Sequence, residues 1–208
     1  RLALNTLFTV FGDDMKLIRA KLGLKPLDRA GYGELLSRTP VLHGFSSHVV
    51  PRPADYLPHW HVTGYWFYDE ENWQPSEALQ RFLASGPAPV YIGFGSMTDS
   101  DARATTDLIL HAQRDAGARV VLYGGWAGLS PQSVPQDVFM LSAAAHSWLF
   151  PRVKAVVHHG GAGTTAAAVR AGVPQFIAPH FADQPFWARR MHELGVAAKP
   201  VSKHKLTT

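Results

Sequence analysis

Two histidines, three glycines and two threonines stand together in Ala155–Thr165, AVVHHGGAGTT. Ala155, Val156 and Val157 read as the end of a short buried strand closed by His158 and His159. Gly160, Gly161 and Gly163 form a turn, and Thr164 begins a helical run that Gly172 stops. A strand that feeds a glycine turn into a helix leaves backbone N–H groups unpaired at the helix N-terminus. The macrodipole adds about half a positive charge there. With no Cβ in the way an anion can approach the backbone closely, and the usual anion is a phosphate. A turn of this kind alone also occurs in α/β proteins where it holds nothing. Three further motifs narrow the choice: Gly95-Ser96, Gly124-Gly125-Trp126 and His180–Gln184 each follow a predicted strand.

The elements that must position these motifs follow a regular grammar from Ser76 onward. Ser76 caps a helix over 77–85. Strands are expected at 89–94, 119–123, 138–141, 153–158 and 174–178, with helices over 99–116, from Thr164 to Ala171, and after Asp183 through FWARRMHEL. Continuous apolar strands alternating with helices imply a parallel sheet covered on both faces. Ligands bind outside the carboxyl ends of such strands, so all four motifs should share one edge. Before Ser76, Leu2–Lys21 has helical spacing interrupted by Gly12 and Asp13-Asp14, so two helices are possible. Gly33–Arg38 predicts a short helix, and 39–46 and 61–67 predict strands. Tyr68–Ser76, polar and acidic, is the linker candidate.

The chain has 208 residues, 46% hydrophobic and 17% charged, enough for a substantial core, with a net charge of +4. Its basic residues are dispersed and track no aromatic stripe, which argues against a nucleic-acid partner. A polyanionic small ligand or peripheral contact with an anionic membrane surface fits this charge. The absence of cysteine excludes disulfides and thiolate metal sites. No apolar run approaches the roughly 18–20 residues that span a bilayer, and a cytoplasmic setting is expected. Arg1 falls directly in a helical pattern and KPVSKHKLTT ends as the approach to a further helix, so a piece of a longer protein is expected.

The run Pro87–Pro200 resembles the C-terminal, nucleotide-sugar-binding domain of GT-B glycosyltransferases of the UDP-glycosyltransferase superfamily. It is most similar to sterol glucosyltransferase-like and antibiotic-modifying bacterial members. YIGFGSM (91–97), YGGWAGL (123–129), HHGGAGT (158–164) and Pro179–Gln184 carry the resemblance. It implies an α/β GT-B fold: a Rossmann-like parallel sheet over 77–208, truncated at its end, preceded by a linker at 69–76. Residues 1–68 would be a remnant of a second Rossmann-like, acceptor-binding domain, whose missing part holds the catalytic base. It further implies inverting, metal-independent transfer of a hexose from a UDP- or dTDP-sugar to a hydroxyl of a sterol, lipid or polyketide. The nucleotide sugar is a co-substrate, with no resident cofactor.

Residue by residue, the resemblance puts Ser96, His158, Gly160, Gly161, Ala162, Gly163 and Thr164 on the donor diphosphate and Asp183 and Gln184 on the sugar. Trp126, Ala143 and His146 fall near base and ribose. The residues have plainer readings as well. His158 is also a candidate core histidine, Asp183 a helix N-cap and Trp126 a packing residue. His158 and His159 make a poor metal pair, because adjacent strand residues point to opposite faces. A GT-B-like epimerase or hydrolase, or a non-catalytic nucleotide-binding module, fits the same motifs.

Overall fold

The computed structural model describes residues 2–95, 101–125 and 133–207, in two compact units, Arg1–Trp66 and Phe67–Thr208. In the first unit, α1 (Leu2–Lys21) is one continuous helix. Gly12 does not divide it, because an interior glycine costs only about 1 kcal/mol and nothing lies within 4 Å of where its Cβ would be. Helix α2 (Arg29–Arg38) starts ahead of Gly33 because the Asp28 carboxylate accepts the Gly31 N–H at 2.8 Å, a side-chain cap. Strands β1 (Val41–His43) and β2 (Trp60–Val62) pair in parallel, Val41 opposite Trp60. The ladder is shorter than the apolar runs because the His43 carbonyl accepts from the Phe45 N–H (2.9 Å) and the Thr63 N–H (3.0 Å), closing it in a turn. His59 Nε2 lies 3.2 Å from the Leu36 carbonyl, a local contact within this unit.

The second unit opens with a segment tied to its own body. The Asp69 carboxylate accepts both terminal N–H groups of Arg170 at 2.7 and 2.8 Å, and the guanidinium lies over the Phe67 ring, 4.5 Å from its centroid. The acidic stretch expected as a linker therefore lies with this unit. Ser76 caps α3 (Glu77–Ala84) through the Leu79 N–H, as its position predicts.

The remaining elements are β3 (Val90–Gly93), α4 (Ala102–Asp115), β4 (Val120–Tyr123), β5 (Val138–Leu141), the short α5 (His146–Leu149), β6 (Ala155–His158), α6 (Ala162–Ala171), β7 (Gln175–Ile177) and α7 (Gln184–Glu193). The five strands form one parallel sheet in the order β5-β4-β3-β6-β7. Alternation along each strand divides the core. Tyr91, Val121 and Val156 pack under Leu79, Leu149, Phe150 and Ala168, from α3, the α5 turn and α6. Val120, Leu122 and Val138 pack with Ile109 and Leu110 of α4. Burying both faces is what makes these strands read as unbroken apolar runs.

Candidate functional site

The strand order reverses between β3 and β6: the chain runs outward through β4 and β5, then returns beside β3 to build β6 and β7. At such a switch point the loops after the two central strands diverge to opposite faces and leave a crevice. The register places Gly93, Tyr123, Leu141, His158 and Ile177 in one row across the sheet. The loops after all five strands therefore leave from one edge, as the motif positions required.

The two histidines take opposite roles. His158 shares a sheet face with Val156 and is fully buried. Its Nε2 lies 2.9 Å from Gln175 Oε1 on β7, and its Nδ1 accepts the Gly160 N–H at 3.1 Å. Burial pushes its pKa down to about 4; the Gln175 bond opposes this in part, while His159 and His146 add to it. A neutral ring with both nitrogens engaged inside the fold has no donor for a ligand phosphate. In this arrangement His158 is engaged as a core histidine, and its nitrogens point to Gln175 and Gly160.

His159 lies on the other side of the chain from His158. Its ring lies between the loop after β3 and the glycine turn. A Cβ on Gly95 would come within 2.8 Å of its Cε1, and one on Gly161 within 2.5 Å of its Nε2, so only glycine admits the ring on both sides. The residue is 9% exposed, and its Nδ1 has no hydrogen-bond partner among the described residues. Burial lowers its pKa, His180 lowers it further and Asp183 acts in the opposite sense. The ring is therefore neutral at pH 7 and keeps one N–H to donate. Strand alternation accounts for the division: when one ring of an adjacent pair turns to one face, the other turns to the opposite face.

Helix α6 begins at Ala162 with Gly161 as N-cap, two residues earlier than Thr164. The first helical bond runs from the Thr165 N–H to the Gly161 carbonyl at 2.9 Å. The N–H groups of Ala162, Gly163 and Thr164 have no intrahelical partner, and Ala162 and Gly163 are exposed. The glycine turn thus leads into a helix end with unpaired N–H groups, and the His159 ring lies against Gly161.

The loop after β7 carries the acid-amide pair. Asp183 is exposed and occupies the N-cap position of α7, but its side chain makes no cap bond. Its Oδ2 instead accepts the Trp187 Nε1–H at 2.8 Å, which corrects the capping role expected of it. Gln184 is 5% exposed, and its Oε1 accepts the N–H groups of His180 (2.8 Å) and Phe181 (3.2 Å), so this amide folds the loop. Ala182 sits there at φ 58, an uncommon conformation for a residue with a side chain.

After β5, Ala143 is exposed and His146 is half-buried, its ring stacked on Phe150 with centroids 4.4 Å apart. Burial lowers the His146 pKa, opposed by Glu70. Ser96 and Trp126 lie outside the described residues.

Residues 109–207 match the family of the erythromycin biosynthesis protein CIII-like C-terminal domain. The chain is 44% identical over 185 residues to the O-mycaminosyltylonolide 6-deoxyallosyltransferase of Streptomyces fradiae, covering 88% of this chain and 43% of that protein. It is 41% identical over 199 residues to a sterol 3-beta-glucosyltransferase of Arabidopsis thaliana, covering 91% and 31%. The chain thus spans less than half the length of these relatives. The crystal structure of the glycotransferase of kitacinnamycin superposes with a TM-score of 0.65 at 20% identity, over 92% of this chain and 49% of that one. That likeness bears on the fold. The second unit is an α/β domain with the fold of the GT-B glycosyltransferases, and its residues 109–207 are similar to the erythromycin biosynthesis protein CIII-like C-terminal domain.

Proposed function

We propose that this chain is the donor-binding part of an inverting, metal-independent glycosyltransferase. It would move a hexose from a UDP- or dTDP-sugar to a hydroxyl of a hydrophobic acceptor such as a sterol, lipid or polyketide. The observation that carries the reading is the strand-order reversal between β3 and β6, with the His159 ring packed against the glycine turn whose helix end leaves N–H groups unpaired. Transfer requires that negative charge be stabilised on the departing diphosphate. Backbone N–H groups, the helix dipole and an imidazole N–H supply that charge stabilisation in a preorganised site. The family-model match over residues 109–207 and the relatives' names support the same class.

In this reading Ala162, Gly163 and Thr164 bind the diphosphate, and His159 is the histidine that joins them. Asp183 holds the sugar: with Oδ2 anchored by Trp187, the carboxylate has a set orientation and Oδ1 meets a hydroxyl. Gln184 shapes the loop that presents Asp183. Fixing the sugar in register lets an acceptor hydroxyl attack the anomeric carbon opposite the departing diphosphate, which inverts that centre.

Calorimetric titration of the 208-residue chain with UDP, dTDP and UDP-glucose tests the reading. Micromolar binding of one nucleotide, weakened at least tenfold by His159→Ala, is expected. Failure of both nucleotides to bind below millimolar, or unchanged affinity in His159→Ala, would refute it.

A further inference from the structure

The buried chain Gly160–His158–Gln175 has a polarity that its backbone end determines. A peptide N–H is a donor in every protonation state. The Gly160 N–H lies 3.1 Å from His158 Nδ1, so Nδ1 carries the lone pair. In a neutral imidazole the other nitrogen then carries the proton. Nε2–H therefore donates to the group 2.9 Å away, which must be the carbonyl of Gln175 and not its NH2.

Gln175 is 3% exposed. It pairs with Val156 in the ladder and reaches His158 diagonally on the same sheet face. Its Nε2 has no hydrogen-bond partner among the described residues, a costly state for a buried donor that an aliphatic side chain would avoid. Gly160, the far end of the chain, is held at φ 91 against Ile177 and the Gln184 carbonyl, where a Cβ would stand 2.8 and 3.2 Å away.

We propose that Gln175 is a positioning residue of the diphosphate turn: its carbonyl selects the His158 tautomer, and that tautomer pins the Gly160 N–H. The pinned peptide fixes the left-handed turn from which α6 presents its N-terminal donors. With the opposite tautomer two N–H groups would face each other across 3.1 Å, and the turn would have to move. The inference rests on the reading of this turn as a diphosphate site.

The test compares the 208-residue chain with Gln175→Leu and Gln175→Glu, using 15N spectra of the histidine rings and calorimetry with UDP and dTDP between pH 8 and 5.5. The native chain should show His158 protonated on Nε2. Gln175→Leu removes the acceptor; the tautomer becomes mixed, the Gly160 amide signal shifts and the nucleotide binds about tenfold more weakly. In Gln175→Glu the carboxylate still accepts from Nε2–H at pH 8, and affinity stays within about twofold of the native chain. As the pH falls this carboxylate favours the imidazolium, whose Nδ1–H opposes the Gly160 N–H, and affinity drops about tenfold relative to the native chain. The titratable groups acting on His158 are His159 beside it and His146 from α5. Both are common to all three forms, so the difference isolates the pair.

A native His158 protonated on Nδ1, an unchanged tautomer and affinity in Gln175→Leu, or a native pH profile in Gln175→Glu would each overturn the proposal. If Gln175→Leu does not fold, the Gln175→Glu profile decides. If the native chain binds neither nucleotide, the diphosphate reading fails, and the ring spectra with the Gly160 signal still decide whether Gln175 sets the turn.

Discussion

Gly161→Ala separates the cost of crowding one ring from every other cost of adding a methyl group. Gly161 has φ −61 and ψ 140, which alanine adopts without strain. Its Cβ would stand 2.5 Å from His159 Nε2, 3.2 Å from Cε1 and 3.4 Å from Cδ2. Contact at optimal separation needs about 3.5–4.0 Å, so the ring must retreat by roughly 1 Å. Gly95 closes the other side, since even an ideal Cβ there would lie 2.8 Å from the ring. Overpacking of this kind costs about 1–3 kcal/mol. Alanine is also a poorer N-cap than glycine, which adds up to about 1 kcal/mol. On the proposed function, a ring displaced this far also loses its bond to a diphosphate, and nucleotide binding should weaken about 10- to 100-fold. Urea denaturation and calorimetry, run in a double-mutant cycle with His159→Ala, isolate the ring. In the His159→Ala background Gly161→Ala should retain only the capping cost and leave nucleotide affinity unchanged. A stability loss equal in both backgrounds would show that the methyl group clashes with something other than His159, and the crevice geometry would be refuted.

Three further outcomes follow from the same site. His158 stays neutral in the folded chain down to about 4, while unfolding returns it to 6.5, so the unfolded state binds the extra proton and stability present above 6.5 is lost as the pH falls toward 4. The loss should reach about 3 kcal/mol, and His158→Asn should flatten the slope in urea denaturation measured at pH 7 and 4. Ala182→Gly relieves a left-handed backbone at φ 58 and should raise stability by about 1 kcal/mol by chemical denaturation, with nucleotide affinity unchanged. Trp187→Phe releases Asp183 Oδ2 and should leave UDP binding intact while lowering the affinity for UDP-glucose relative to UDP by about three- to tenfold, by competition calorimetry.

The parallel sheet and the edge that carries the site were legible because their signals are local. Val90–Gly93, Val120–Tyr123 and Ala155–His158 are apolar runs between helical segments, and a strand buried on both faces shows no alternation. The glycine turn into α6 announces unpaired N–H groups by composition alone. Which of the adjacent side chains goes to which face was not local. An adjacent pair of histidines must divide between the two sides of a strand, but it is Gln175, contributed by a different strand, that receives the far nitrogen of His158. The same holds for Asp183, whose place at the start of α7 predicts a cap until Trp187 Nε1 takes its carboxylate. Composition and periodicity thus determine which elements form and which ends carry the chemistry, because those follow from backbone hydrogen bonding and burial of neighbours in the chain. Tertiary structure alone decided that His158 is held in the core with Gln175 while His159 packs between Gly95 and Gly161, because a buried ring goes where a distant partner satisfies its nitrogens.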